Sequence, residues 1–156
     1  MKGSVDDIDR RILAFIGAHW FVLAAHVQAF LGVEEEENAD RLRGLEAGGL
    51  VRSERLLRGR ASSVRITGAG LEAIGSLLPA PGFDLGGYRH EVAVVWLWVA
   101  AWRGAFGEAE RVLSRREMQG VDRAARDAGG EASGFAVSLP ARGGSGSPGL
   151  CYPDVG

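Results

Sequence analysis

The chain has 156 residues, a size typical of one domain or of two very small ones. Its composition, 46% hydrophobic and 24% charged, is that of a globular protein and excludes a fully disordered chain. The formal net charge of −2 argues against nucleic-acid binding by bulk positive charge, so such a function needs a local basic patch.

Cysteine content and hydropathy indicate the compartment. Cys151 is the one cysteine, which excludes an intramolecular disulfide and fits a reducing environment. The first residues turn acidic without the apolar stretch of a signal peptide. The longest strongly apolar run, residues 92–102, is far shorter than the roughly 20 residues that cross a membrane. We therefore expect a cytoplasmic protein with no membrane partner.

Helical periodicity predicts three helices in the first 47 residues. The first follows the capping signal Ser4–Asp7, ends at Gly17 and has four apolar residues on one face: Ile8, Ile12, Leu13 and Ile16. The second spans residues 22–30, ends at Gly32 and directs three residues inward: Val27, Phe30 and Leu31. The third spans residues 34–47, stops at a glycine pair and has three residues on its apolar side: Ala39, Leu42 and Leu45.

A hairpin and a fourth helix follow. Residues 50–57 and 62–67 predict two strands joined by a turn at residues 58–60, and Thr67 opens a helix that reaches about Leu78. Three helices, a hairpin and a further helix are the element order of a winged helix-turn-helix. In that fold the third helix can enter the major groove, and the hairpin, or wing, can reach the DNA backbone.

The rest of the chain differs in composition. Residues 79–88 hold two prolines and three glycines, which is typical of a linker. An apolar helix is predicted over residues 89–103, and the glycine-rich stretch from residue 128 to residue 149 predicts a loose tail with a short strand at residues 135–139. The predicted fold class is α+β: a winged helix-turn-helix domain at 1–78, a linker at 79–88, and at 89–156 a long apolar helix with a small, partly irregular α/β segment.

The predicted wing is basic. Residues 50–66 carry one glutamate and five arginines, a formal charge of +4: Arg52, Arg55, Arg58, Arg60 and Arg65. The guanidinium fork suits phosphate oxygens, so these residues are candidate contacts to double-stranded DNA. Because 17 of the 18 basic residues of the chain are arginines, a solvated hairpin in an arginine-biased sequence is the alternative.

The third helix is ambiguous as a recognition helix. It opens with four consecutive glutamates, residues 34–37, which complement the helix dipole but repel phosphate. If this helix contacts bases, Asn38 can pair with adenine, and Arg41 and Arg43 can pair with guanine. Its acidic start favours weak binding through the DNA backbone, or a helix that contacts protein.

Helix 89–103 is apolar around its whole axis, so we expect it to be inaccessible to solvent. It is either the centre of a small C-terminal domain or the interface of a homodimer, since tryptophans are common interface anchors. The candidate interface residues are Val92, Val95, Trp96, Val99 and Trp102.

Signals for catalysis, metals or cofactors are weak. His19 and His26 have no acidic or cysteine companion at ligand spacing, and a structural role is expected for them. A nuclease-type magnesium site would need a further acid and a lysine after Pro153-Asp154, and the chain has neither. We therefore expect a protein that is not an enzyme and has no cofactor and no bound metal.

Several segments together resemble the replication-relaxation family of bacterial plasmids and integrative elements: Ile8–Leu78, Tyr88-Arg89-His90, Val112–Met118 and Pro153-Asp154. The resemblance implies that a histidine begins the helix after the linker, that residues 112–118 form a strand, and that Pro-Asp begins a later strand. Family members usually continue beyond that point, so the second zone is expected to be a truncated or degenerate domain. The resemblance also implies a role in mobile-element replication or conjugal relaxation, with a relaxase or replication protein as partner.

Three functions follow as hypotheses. The first is a non-enzymatic DNA-binding accessory protein of a plasmid or mobile element. The second is a small dimeric transcription regulator that pairs through residues 89–104. The third is a protein-interaction module in which the glutamates of the third helix face a basic partner.

Overall fold

The computed structural model describes residues 5–82, 84–131, 135, 137–139 and 149–151. In this part of the chain the fold is α+β, with six α-helices and a small three-stranded antiparallel sheet. The elements are α1 (Asp7–Ala18), β1 (Val22–Leu23), α2 (Ala24–Leu31), α3 (Glu35–Ala47), β2 (Val51–Glu54), β3 (Ser63–Ile66), α4 (Gly68–Ala73), α5 (Tyr88–Trp102), α6 (Arg115–Asp127), β4 (Val137–Leu139) and β5 (Gly149–Cys151). A 3₁₀ turn, Leu85–Gly87, precedes α5.

The three-stranded sheet has the order β1-β3-β2. Val22 of β1 lies opposite Val64, and β2 and β3 form the predicted hairpin, with Val51 opposite Ile66. Strand β1 was not predicted, because residues 22–23 were assigned to the second helix. The backbone is extended at Leu23, and the N–H of Leu23 donates to His26 Nδ1 at 3.0 Å. This hydrogen bond fixes the start of α2 at Ala24.

Local capping chemistry sets the helix ends. Asp6 caps α1 by accepting from the backbone N–H of Asp9 at 2.7 Å, while the predicted cap Ser4 lies outside the described residues. Gly32 ends α2 in the left-handed conformation, with φ of +70°. Helix α4 is shorter than predicted, because it ends at Ala73 and Gly75 follows with φ of +67°.

The buried face of α3 differs from the prediction by one position. Asn38 is buried beside Leu42 and Leu45, whereas Ala39 is exposed. The spacing i, i+4, i+7 of the buried residues is as regular as the predicted one. Asn38 can take the buried position because its side chain donates to the carbonyl oxygen of Ala24 at 2.9 Å.

A single hydrophobic cluster joins helices α1 to α4 and the three-stranded sheet to α5. Ile12 and Ile16 of α1 pack with apolar residues of α2, α3 and the sheet, and Val95, Trp98 and Val99 of α5 belong to the same cluster. The α5 helix therefore returns to the first part of the chain and packs on its helices.

Helix α5 buries one side only. Val95 is fully buried, but Trp96, Leu97 and Trp102 are 42%, 45% and 47% exposed. The prediction that this helix is inaccessible on all sides is therefore wrong, because an all-apolar composition does not reveal which side of the helix packs on the rest of the protein.

Residues 112–118 do not form the strand that the family resemblance implies. Ser114 caps α6 by accepting from the N–H of Glu117 at 3.2 Å, and Glu117 accepts from the N–H of Ser114 at 2.8 Å. Arg116 of α6 is buried over the ring of Trp20, and it donates to the carbonyl oxygens of Gly17 and Pro79 at 3.2 and 2.7 Å. The segment thus begins a helix that is tied to the end of α1.

The predicted strand at residues 135–139 is confirmed at residues 137–139, which pair with β5. The predictions for a loose tail and for Pro153-Asp154 lie largely or wholly outside the described residues. Within the described part, no helix is both long enough and apolar enough to cross a membrane.

We expect Gly70→Ala to destabilise the fold, since a Cβ at Gly70 would lie 2.1 Å from the carbonyl oxygen of Leu50. The backbone would have to shift, at a cost of about 1–3 kcal/mol in the free energy of unfolding. Gly68→Ala is the matched control, because nothing lies within 4 Å of its Cβ position. Chemical denaturation of both variants measures the difference, and equal stabilities would show that α4 and the hairpin are not in close contact.

Candidate nucleic-acid interface

Two of the five hairpin arginines are held along the strands. Arg52 and Arg65 lie opposite each other in the register of β2 and β3. Both contact Glu54, with Arg52 Nε 2.8 Å from Oε1 and Arg65 2.6 Å from Oε2. Glu54 therefore offsets one of their two positive charges, and neither is the strongest candidate for a phosphate contact.

The other three arginines surround the hairpin turn. Arg55, Arg58 and Arg60 are exposed, and none forms an ion pair with a described residue. The turn is closed by a hydrogen bond of 3.2 Å from the N–H of Arg60 to the carbonyl of Leu57, and Gly59 has φ of +73°. The tip thus holds three solvated guanidinium groups on a defined backbone.

The hairpin tip faces the beginning of α5. Arg58 and Arg60 line an open cleft of about 440 Å³ together with four other residues: Leu57, Tyr88, Arg89 and Val92. Arg89 is a candidate contact that the sequence analysis missed. Tyr88-Arg89-His90 was noted as part of the family resemblance, but periodicity could not show that this segment lies beside residues 58–60.

Asn38 is not available to a base edge, and its assignment as a DNA-binding residue is wrong. Its side chain is 2% exposed, and Nδ2 donates to the carbonyl oxygen of Ala24 at 2.9 Å. This bond connects α3 to the first turn of α2. The amide therefore positions one helix on another, a role that residue type alone does not distinguish from base recognition.

Arg41 is engaged by carboxylates of α1 and α3. Its NH1 lies 3.2 Å from Asp6 Oδ2 and 3.1 Å from Asp9 Oδ1, and its Nε lies 3.4 Å from Glu37 Oε1. The hydrogen bond with Asp6 is the main cause that raises the pKa of Arg41. The pKa of Asp6 is lowered, first by the N–H of Asp9 and then by Arg41. Arg41 thus joins α3 to the start of α1.

Arg43, the third candidate on α3, is exposed and pairs with Asp40 of the same helix. With Arg41 and Arg43 paired, the start of α3 presents mainly the carboxylates of Glu35 and Glu36 to solvent. This surface repels a phosphate backbone.

The five predicted interface residues of α5 are divided by the fold. Val95 and Val99 are buried within the protomer, so their assignment to an interface between copies is wrong. Val92 is half-buried beside the hairpin cleft. Trp96 and Trp102 keep an exposed edge, Trp96 against His26 and Trp102 stacked on Trp98 at 5.5 Å between centroids.

Both described core histidines are neutral groups. His19 packs edge-on against Phe15 and Trp98 at 5.2 and 5.5 Å. Desolvation, with smaller effects from His26 and Arg116, lowers the pKa of His19 to about 3. Desolvation also lowers the pKa of His26 to about 4. Among the described residues no three histidine, cysteine or acidic side chains form a cluster that could hold a metal ion.

We expect stability to fall as the pH decreases from about 6.5 towards 4. A folded-state pKa below the unfolded value means that the unfolded chain binds protons first, so the stabilisation is complete above pH 6.5 and is lost on acidification. Each histidine should contribute roughly 1.4 kcal/mol per pH unit within this window. Urea unfolding across the pH series measures the slope. His19→Phe should reduce it, whereas an unchanged slope in that variant would contradict a neutral buried His19.

Comparisons of the chain with protein-family models, with curated proteins and with solved structures gave no match. The resemblance to the replication-relaxation family therefore stays a prediction from the residues quoted above.

Proposed function

We propose that this chain is a non-enzymatic, DNA-associated protein that contacts the phosphate backbone of double-stranded DNA through the tip of the β2–β3 hairpin. The observation that carries the proposal is the set of three exposed arginines around the turn, Arg55, Arg58 and Arg60, which have no acidic partner among the described residues. Arginine forks at a protruding turn are suited to phosphate oxygens.

The element order also supports a winged helix-turn-helix. A two-residue strand lies between α1 and α2, α3 precedes the hairpin, and the hairpin adds to that strand in the order β1-β3-β2. In a winged helix the hairpin is the wing, which places its tip beside the DNA backbone when α3 approaches the groove.

Backbone contact without base recognition is the mode that the side chains favour. Of the three candidates on α3, Asn38 is buried and the two arginines are paired with carboxylates. Phosphate contacts position a protein on DNA but carry no direct sequence information. We therefore propose a weakly sequence-selective accessory protein, in which a relaxase or replication protein of the same mobile element would supply the choice of site.

A dimeric transcription regulator is the second candidate function, and the exposed face of α5 favours it. Trp96 and Leu97 give the exposed side of α5 an apolar surface that a second copy of α5 could cover.

Replacing Leu97 with glutamate tests the dimer without disturbing the core, because this side chain is 45% exposed. If the chain pairs through α5, the variant should sediment as a monomer at concentrations where the wild-type chain sediments as a dimer, with little change in its unfolding free energy. Identical sedimentation of the two proteins would exclude α5 as a dimer interface.

The DNA-binding proposal is tested by the salt dependence of affinity. Each phosphate contact adds about 0.9 to the slope of log affinity against log salt, so Arg58→Ala/Arg60→Ala should reduce the slope by about 1.8. The loss should be similar on unrelated duplex sequences. Fluorescence polarisation over a salt series measures both quantities.

Arg10→Ala/Arg123→Ala is the matched control, since it removes two exposed arginines that lie outside both the hairpin and α3. Its slope should equal that of the wild-type protein. An unchanged slope in the folded hairpin variant would overturn the proposed contact. If the wild-type chain does not bind DNA even at low salt, the acidic start of α3 leaves the protein-interaction module as the remaining function.

A further inference from the structure

We propose that the cleft between the hairpin tip and the start of α5 is a binding site for a nucleotide unit, with its phosphate on the arginines and its sugar or base on the apolar floor. Where that nucleotide belongs to duplex DNA, the inference rests on the proposed function and extends the DNA-contacting surface from the hairpin to α5.

The side chains around the cleft carry positive charge, which favours an anionic ligand. Arg58 and Arg60 come from the turn and Arg89 from the first turn of α5, and all three side chains are exposed. No carboxylate is among the described residues that line the cleft. Three guanidinium groups around one space repel one another, and an anionic ligand relieves that repulsion while accepting their hydrogen bonds.

The start of α5, where Arg89 lies, adds to the positive potential of the cleft. Helix α5 is 15 residues long and begins at Tyr88, so the positive end of its dipole lies at the edge of the same cleft. The helix end alone would not define a site, but here it meets two arginines from a segment about 30 positions earlier in the chain.

The floor of the cleft is apolar. Leu57 and Val92 are half-buried, and Tyr88 is 7% exposed with its ring stacked on Phe21 at 5.2 Å between centroids. The tyrosine ring is therefore held in place, and the floor needs no rearrangement to receive a ligand. Apolar contact of this kind suits the carbon atoms of a sugar or the face of a base.

The size of the cleft favours more than a bare phosphate. Its volume of about 440 Å³ falls in the range of roughly 300–1,000 Å³ that small-molecule sites occupy. An inorganic phosphate would leave most of this space empty and the apolar floor uncovered. A phosphate with its attached nucleoside fills both parts of the site.

The experiment uses the full chain and three probes: the dinucleotide pTpT, inorganic phosphate and a short duplex of arbitrary sequence. Binding is followed by NMR on the arginine Nε–H groups and on the methyl groups of Leu57 and Val92. We expect pTpT and the duplex to shift the signals of Arg58, Arg60 and Arg89 together with both sets of methyl signals.

Three variants separate the cleft from general electrostatics. Arg89→Ala should weaken pTpT binding about five-fold. Val92→Phe, which fills the cleft without changing charge, should weaken it at least as much. Arg123→Ala is the control, because it removes one exposed arginine of α6 that does not line the cleft, and pTpT affinity should change little.

The outcomes are distinct. If the duplex shifts only the hairpin signals, and Arg89→Ala and Val92→Phe bind like the wild-type chain, the inference is overturned and the proposed function stands. If pTpT binds in the cleft but the duplex does not bind at all, the proposed function fails and the inference stands. If inorganic phosphate binds with the same affinity as pTpT and causes the same signal shifts, the cleft is a simple anion site and the nucleotide inference is overturned.

The variants remain informative if one of them does not fold. Arg89 is exposed, so Arg89→Ala should fold even if Val92→Phe does not.

Discussion

The burial of Trp98 holds α5 against α1 and α2. Its indole packs against Phe15 of α1 at 5.3 Å and Phe30 of α2 at 5.9 Å, and Trp102 stacks on it from the next turn of α5. A tryptophan removes about 150–250 Å² from water, which is worth roughly 4–6 kcal/mol before the loss of conformational entropy. This contact directs α5 across α1 and α2, and the start of α5 then lies beside the hairpin tip. The cleft with Arg89 is a consequence of that packing.

Arginine has three different roles in this protein, and position alone separates them. Arg116 is buried and donates to two main-chain carbonyls over the ring of Trp20. Arg41 joins two helices through carboxylates. Arg58, Arg60 and Arg89 are exposed around one cleft. A chain with a formal charge of −2 therefore still presents a basic surface, because acidic residues concentrate at the starts of α1 and α3 and not at the hairpin tip.

The sequence predicted those parts of the fold that depend on residues close together in the chain. The glycine turns at Gly32 and Gly59 and the capping of α4 by Thr67 act within a few residues, and the structure contains each of these features. The buried face of α3 was missed because a hydrogen bond to Ala24 makes an asparagine an acceptable core residue. No local pattern showed whether Asn38 or Ala39 would face the core.

Non-local features could not be predicted in the same way. Helix α5 is apolar on every side, so its periodicity cannot tell that Val95 is buried and that Trp96 is exposed. The pairing of the hairpin tip with Arg89 depends on the packing of Trp98 and on the course of residues 79–87. A sequence pattern shows neither the packing of Trp98 nor the path of the segment before α5. The candidate site was therefore predicted on the hairpin, where the charge is local, and missed on α5.

If the chain contacts DNA as proposed, the number of arginines at the candidate site limits the strength of that binding. Arg55, Arg58, Arg60 and Arg89 together would give a salt slope of at most about 3.6. With that slope, affinity falls roughly 150-fold between 50 and 200 mM salt, and non-specific contacts of this kind typically give dissociation constants of about 10⁻⁴ to 10⁻⁶ M. One protomer would therefore leave DNA readily under cellular conditions. A second binding element, either another copy joined through α5 or a sequence-specific partner, would raise the effective concentration of the hairpin near the DNA without any new contact. The proposed pairing through α5 and the proposed arginine contacts are therefore compatible, since a second copy would compensate for the weak binding of one.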